Sequence, residues 1–348
     1  VSGVFLRPLK VMVVDDSAVA RQVLTSVLTA AGMSVEVAPD PFFALQKLAR
    51  FEPDVLVLDL EMPRMDGLTF LRRLRRDVDL PVVVCSGVTD GRGEKALLAL
   101  EEGAVEVVTK PKTAVRDFLF ESSVMLVDAV TAAAETRPAV RAARRRHGTP
   151  STTPGRPSAP ARRELVALGA STGGPDAVRR ILAEFLPTSP PVLVVQHMPA
   201  GFTRAFAKHL DEVSRIDVRE AVAGDRLRPG LAVIAPGGRH LRVRRAGTGL
   251  EVLVAGGPLV SRHRPSVDVL FESVAECVGQ CAVAALLTGM GDDGARGMQK
   301  LRDVRAYTLA QDEQSSVVYG MPKAAVDLGV VDEIANLDVL GAAILRQC

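Results

Sequence analysis

Ser171 stands in the run Gly169-Ala170-Ser171-Thr172-Gly173, a G-x-S-x-G spacing that follows the apolar stretch LVALGA. Small residues on both sides permit a tight strand-to-helix turn that lifts a hydroxyl clear of a sheet. A Gly-rich corner of this kind can also cradle a phosphate on backbone N–H groups or bind a dinucleotide. A P-loop is excluded, because no Gly-Lys-Ser/Thr follows. A serine nucleophile needs a base. His197 closes the apolar run VLVVQH, whereas His147 lies in a Pro/Arg-rich stretch, His209 in the helical run FTRAFAKHLDEV and His240 at the start of a hairpin. A third, orienting carboxylate is offered twice in LLTGMGDDGARG, as Asp292 and Asp293, and spacing alone does not separate them.

A second group of polar residues marks the other half of the chain. Asp15 and Asp16 end the run KVMVVDD, Asp59 ends VLVLD, Ser86 ends PVVVCS and Lys110 ends VEVVTK, just before Pro111. Carboxylates packed together repel and call for a cation, and hard oxygen ligands with room for water suit Mg²⁺. A lysine and a hydroxyl beside that cation are what the oxygens of a transferred phosphoryl group require. One aspartate after a strand is commonly a helix cap, and Asp16 or Ser17 suits that role for the next helix. Five polar residues at matching strand ends exceed what capping asks for.

The runs that carry these residues are short and rich in Val and Leu, as expected for strands buried on both faces. In the first half KVMVVDD, SVEVA, VLVLD, PVVVCSG and VEVVTK alternate with helical periodicity, for example over Ala18–Ala30 and Leu68–Leu74. The alternation implies an open parallel sheet with a crevice at the carboxyl ends of its strands. It returns in ELVALGA, PVLVVQH, LAVIAP, CAVAALLTG and AYTLAQ, interrupted by RHLRVRRAGTGLEVLVAGG, an antiparallel hairpin around Gly247–Gly249. The two halves share an architecture without a sequence repeat.

At 348 residues the chain is long enough for two domains, each with its own core. Between them, residues 135–163 are rich in Pro, Ser, Thr and Arg without apolar periodicity, the composition of a flexible linker. A net charge of +2 and the absence of Trp give no reason to expect nucleic acid as a partner. No apolar run approaches a membrane span of roughly 20 residues, so no membrane insertion is expected. Cys85, Cys277, Cys281 and Cys348 form no C-x-x-C pair, and such sparse usage fits a reducing, cytoplasmic setting.

VVDDS, LDLEMPRMDG, CSG and TKP resemble the two-component response-regulator receiver, over roughly Leu9 to Ala134. The resemblance implies that Asp59 accepts phosphate from a histidine kinase of the CheA type. It also implies that Asp15, Asp16 and Asp59 hold Mg²⁺ and that Ser86 and Lys110 read the phosphoryl group. Val107 stands where receivers usually carry an aromatic residue, so switching through a rotating ring is not expected.

GASTGG, QHMP, APGGRHL, RPSVDVLFESVA, LLTGMGDDGARG and YGMPKAA resemble the catalytic domain of the chemotaxis protein-glutamate methylesterases, the CheB family. That resemblance implies Ser171 as nucleophile, His197 as base, Asp293 rather than Asp292 as orienting acid, and Thr172 and Met290 beside the oxyanion. It implies hydrolysis of methylated glutamates on chemoreceptors with release of methanol, and deamidation of receptor glutamines, with no cofactor for the ester chemistry. An unphosphorylated receiver is expected to cover the catalytic cleft. The order Ser, His, Asp differs from the Ser, Asp, His order of α/β-hydrolases. A DNA-binding regulator is disfavoured because no helix-turn-helix pattern follows residue 164. A nicotinamide enzyme is disfavoured because QHMP occupies the place of an acidic ribose ligand. The expected architecture is α/β: two doubly wound parallel-sheet domains joined by a flexible linker. These are a flavodoxin-like receiver over 9–134 and a catalytic domain with a β-hairpin over 164–348.

Overall fold

The Val/Leu runs of the first half build a five-stranded parallel sheet. A computed structural model describes residues 7–87, 92–110, 116–136 and 163–348. Two compact units divide the chain, Val1–Ala143 and Arg144–Cys348. The expected linker, apart from Glu135, Thr136 and Arg163, lies outside the described residues, as does His147.

In the first unit the strands are β1 (Lys10–Val14), β2 (Ser34–Ala38), β3 (Val55–Leu58), β4 (Val82–Ser86) and β5 (Glu106–Thr109). They alternate with α1 (Ala18–Ala30), α2 (Pro41–Phe51), α3 (Gly67–Asp77), α4 (Arg92–Glu101) and α5 (Arg116–Glu135). The sheet order is β2-β1-β3-β4-β5. β3 and β4 are buried along their whole length, as their unbroken apolar sequences require. Val14 pairs with Leu58, so Asp15 and Asp59 emerge side by side; Ser86 pairs with Thr109, which brings Lys110 alongside. Each helix leaving this rim needs a cap. Ser17, not Asp16, accepts from Ala20 N–H, Asp40 from Phe42 and Phe43, and Asp66 from Thr69. Each such cap stabilises its helix by about 1 kcal/mol.

The second unit is a seven-stranded parallel sheet with the order β14-β13-β12-β6-β7-β9-β8. Its strands are β6 (Leu165–Ala170), β7 (Val192–Gln196), β8 (Asp217–Glu220), β9 (Leu231–Ile234), β12 (Ala282–Leu286), β13 (Tyr307–Gln311) and β14 (Glu333–Ala335). A separate hairpin pairs β10 (His240–Ala246) with β11 (Gly249–Ala255). The helices are α6 (Gly174–Leu182), α7 (Phe202–Val213), α8 (Val267–Cys277), α9 (Ala295–Asp303), α10 (Met321–Asp327) and α11 (Leu337–Leu345).

Two strands have no counterpart in the sequence expectation, β8 and β14. Both are short edge strands, DVRE and EIA, without the apolar run that marks a buried strand; in β8 the exposed charges of Asp217 and Arg219 discourage pairing with another chain, whereas Glu333 of β14 is buried against Tyr307 and Arg346. Central β6 lies between β7 and β12, so the chain leaves its carboxyl end at the point where the winding reverses. Open α/β sheets place their ligand crevice there.

Candidate active site

The register of β6 on β7 sets the first contact. Ala170 pairs with Gln196, so the residues that follow, Ser171 and His197, leave neighbouring strands at the same level. Gln196 is fully buried and ties the two corners together: its Nε2 donates to Ser171 O at 2.9 Å and to His197 O at 3.1 Å. The turn after Ser171 closes with Gly174 N–H donating to Ser171 O at 2.7 Å. Gly173 has φ +78°, and a Cβ there would strike Val317, so the spacing needs glycine for both reasons.

His197 and Asp293 are both buried, and His197 Nε2 lies 2.8 Å from Asp293 Oδ2. A carboxylate held by this many donors only accepts, so Nε2 carries the hydrogen. Nδ1 is then the basic nitrogen, and it is buried without a hydrogen-bond partner among the described residues. Asp293 takes three further donors: Ser266 Oγ at 2.8 Å, Val267 N–H at 2.7 Å and Asp268 N–H at 3.1 Å. Two of these are N–H groups from the first turn of α8, where the helix dipole also favours an anion. Burial pushes Asp293 up, but the His197 hydrogen bond and charge outweigh it and hold the carboxyl below the ordinary aspartate value. Asp292 is exposed and makes no side-chain hydrogen bond among the described residues. The structure brings Asp293 to His197 and leaves Asp292 outside.

The capping is reciprocal. Asp268, in the first turn of α8, accepts from Gly294 N–H at 3.0 Å and Gly297 N–H at 2.8 Å at the start of α9. Burial and the nearby Asp293 charge raise Asp268 above the usual aspartate value. Each carboxylate thus serves the helix that begins beside the other, which fixes the two helix starts against each other.

The loops around Ser171 are joined through backbone groups. Ser171 N–H is spent on Thr288 O at 3.0 Å. Among the described residues neither the Thr172 nor the Met290 N–H donates to a backbone acceptor. Gly289 admits the close approach: a Cβ on it would strike Met321 Sδ and lie 2.6 Å from Ser171 Cβ. Thr288 braces this loop, its N–H donating to buried Gln311 Oε1 at 2.8 Å and its Oγ1 to Thr172 O at 2.9 Å.

Sequence reasoning missed His263. Its ring stacks on His197 with centroids 3.8 Å apart and planes within 12°. Burial and the neighbouring His197 push it well below the ordinary histidine value, so it is neutral near pH 7. His263 sits in SRHRP, at no strand end and in no periodic run, so the sequence carries no signal for it. His240, by contrast, is structural: Nε2 lies 2.9 Å from Pro258 O, and Nδ1 accepts from Ser266 N–H at 3.3 Å.

At the rim of the first unit, Lys110 Nζ lies 2.6 Å from Asp15 Oδ2 and 2.7 Å from Asp59 Oδ2. Carboxylate oxygens of Asp15, Asp16 and Asp59 all fall within 4.8 Å of one another; Asp16 is exposed and the other two are buried. Burial raises Asp59 above the ordinary aspartate value, with Lys110 pulling it down and the Asp15 charge pushing it up. Burial alone would lower Lys110, but hydrogen bonds and charge from Asp15 and Asp59 hold it above the ordinary lysine value. Ser86 is buried beside them, and Lys110 N–H donates to Ser86 O at 3.0 Å. Val107 is buried in β5.

Taken together, fold and site define a two-unit protein: an acidic rim on a five-stranded sheet, and a serine corner backed by a buried His–Asp pair on a seven-stranded one. The family model for the response regulator receiver domain matches residues 11–117, and that for CheB methylesterase matches residues 166–344. The chain is 51% identical over 343 residues to protein-glutamate methylesterase/protein-glutamine glutaminase 1 of Anaeromyxobacter dehalogenans, covering 97% of this chain and 98% of that protein. It is 48% identical over 353 residues to protein-glutamate methylesterase/protein-glutamine glutaminase 2 of Oleidesulfovibrio alaskensis, covering 98% and 99%. The crystal structure of the Thermotoga maritima CheB methylesterase catalytic domain matches 53% of this chain and 99% of its own, with a TM-score of 0.52 and 32% identity. The chain belongs to the CheB methylesterase family, with a response-regulator receiver domain in front.

Proposed function

We propose that the chain is a phosphorylation-activated protein-glutamate methylesterase that also deamidates receptor glutamines. The receiver spans 9–134 and the catalytic domain 164–348. The observation that carries the reading is the His197–Asp293 bond, which leaves Nδ1 without a partner on a residue that departs β7 at the level where Ser171 departs β6. In this mechanism Nδ1 takes the proton of Ser171 Oγ as that oxygen attacks the glutamyl ester carbon. Thr172 and Met290 N–H receive the oxyanion, each worth about 3 kcal/mol in the transition state. Asp293 balances the imidazolium. His197 returns the proton to the departing oxygen, methanol leaves, and water repeats the sequence to release glutamate and free Ser171. A glutamine amide follows the same path with ammonia as the leaving group.

In the receiver the Asp59 carboxylate takes the phosphoryl group from a phosphohistidine of a CheA-type kinase, and Lys110 and Ser86 meet its oxygens. Converging hard oxygens fit Mg²⁺. Asp15, Asp16 and Asp59 would hold the ion, which when bound neutralises charge crowded around the phosphoryl group. The partners are methyl-accepting chemoreceptors and that kinase, and the setting is the cytoplasm. Among the described residues no helix is long and apolar enough to cross a membrane.

The test is methanol release from methylated receptor membranes by the full-length protein, with and without a small phosphodonor. Release should rise with the phosphodonor, and Ser171→Ala should abolish it while Asp59 is still phosphorylated. No methanol, or near-normal turnover by Ser171→Ala, refutes the reading.

A further inference from the structure

Gln196 is fully buried at the end of β7, just before His197. The hydrogen-bond ladder between β6 and β7 ends one step later, where His197 N–H donates to Ala170 O at 3.0 Å. Past that bond the sheet no longer holds the two corners together. Among the described residues the Gln196 amide does so: Nε2 donates to Ser171 O at 2.9 Å and to His197 O at 3.1 Å. Both acceptors are carbonyl oxygens, which fixes the orientation of the amide; turned over, Oε1 would face two acceptors.

That orientation leaves Oε1 buried against Gly174, without a hydrogen-bond partner among the described residues. A buried acceptor left unpaired destabilises a fold, so each one asks for a reason. Ser171 O does not depend on Gln196 for pairing, because Gly174 N–H already donates to it at 2.7 Å. What a glutamine adds here is one planar group whose two N–H bonds reach two different loops. Its hydrogen bonds go to backbone alone, so it acts through Ser171 and His197 rather than on a substrate.

We infer that Gln196 is a positioning residue for the ester hydrolysis: its amide sets the separation of the Ser171 and His197 corners, on which proton transfer from Oγ to Nδ1 depends. This rests on the methylesterase reading above. Such a transfer needs donor and base within about 3 Å of each other, and a misplacement of about 1 Å costs about 10²-fold.

Two variants of the full-length protein test this by methanol release from methylated receptor membranes. Gln196→Met keeps the length of the side chain and removes both donors. Its kcat should fall about 10-fold to 100-fold with KM held within about twofold, because no substrate contact is lost. Gln196→Glu restores a donor according to pH. The protonated carboxyl can donate its O–H to one corner carbonyl, whereas the carboxylate sets lone pairs against both. The ratio of its kcat to that of the wild type should therefore fall about tenfold between about pH 6 and about pH 9, after uncatalysed hydrolysis is subtracted. His197, the titratable neighbour in the chain, is present in both proteins and cancels in that ratio; its protonation removes the base at the opposite, acid limb. Circular dichroism at each pH shows whether the fold is intact. A kcat near the wild type in Gln196→Met overturns the inference. So does a ratio for Gln196→Glu that stays flat, or that falls only as the protein unfolds. If Gln196→Met does not fold, Gln196→Glu decides alone. If the wild type releases no methanol, the methylesterase reading itself fails, and the inference with it.

Discussion

Both units place their polar groups at the carboxyl edge of a parallel sheet, yet the two edges hold charge in opposite ways. In the catalytic unit Asp293 is buried and still ionises readily, because His197, Ser266 Oγ and two N–H groups of α8 all donate to it. At the receiver rim Asp59 is also buried, but it faces Asp15 and relies on Lys110, and its carboxyl is raised. The first arrangement is complete before substrate arrives, as electrostatic preorganisation requires. The second is unbalanced. A phosphoryl group placed on Asp59 would add about −1.5 to −2 charges to a cluster whose Asp15 and Asp59 carboxylates share the Lys110 cation. The same sheet edge yields a permanent site or an alterable one, according to how many donors the adjoining helices aim at the carboxylate.

The comparison is tested hardest at Asp293. Asp293→Asn turns an NH₂ group toward donors and leaves His197 without its anion, so methanol release should fall by about 10³ to 10⁴. Asp292→Asn, on an exposed side chain, should change it by less than about twofold. Equal losses in the two variants would remove Asp293 as the orienting acid.

Gly289→Ala probes how closely the permanent site is fitted. The added methyl would press on Met321 and Ser171, and if Ser171 is the nucleophile proposed above, its displacement by even 1 Å should cost about 10²-fold in turnover. Unchanged turnover, with circular dichroism showing a native fold, would mean that the corner yields without harm.

A smaller effect is expected at His263. Because it stays neutral, it sets no second positive charge against His197 as that ring takes a proton. His263→Ala should lower kcat by about tenfold through lost packing, and His263→Phe, which keeps a ring, should recover most of it. If Phe is no better than Ala, the stack is not what matters.

The smallest effect belongs to the alterable site. A carboxyl raised in the folded state keeps a proton that the unfolded chain gives up, so receiver stability falls as pH climbs from the ordinary aspartate value through the raised one. The loss persists above that window. Asp59→Asn removes it, and the receiver's thermal midpoint should rise by about 2 to 5 °C at pH 7 and by less at pH 4. No gain at pH 7 would show that Lys110 already compensates Asp59 in full.

Much of this was legible in the residues. Strands buried on both faces must be apolar, so their ends could be found, and Asp15, Asp59, Ser86, Lys110, Ser171 and His197 all stand at or just after those ends. Strand β8 was hidden because an edge strand needs only partial burial and carries charge, and β14 because three residues are too few to show a pattern. Gln196 read as the last residue of a strand, and nothing in its type announced that it bridges two corners.

By itself the sequence determined two parallel sheets, the edge at which each gathers its polar residues, and the residue types found there, because burial dictates strand composition and loops must follow strands. Tertiary structure alone decided which of two adjacent aspartates meets His197, a partner 96 residues away. Neighbouring loop residues point in opposite directions, and spacing is blind to direction. It also decided which imidazole nitrogen meets Asp293, which is left without a partner among the described residues, and that His263 lies against His197. Each of these depends on donors and rings brought together from distant segments, where only the folded chain settles which groups find partners and which are left to act.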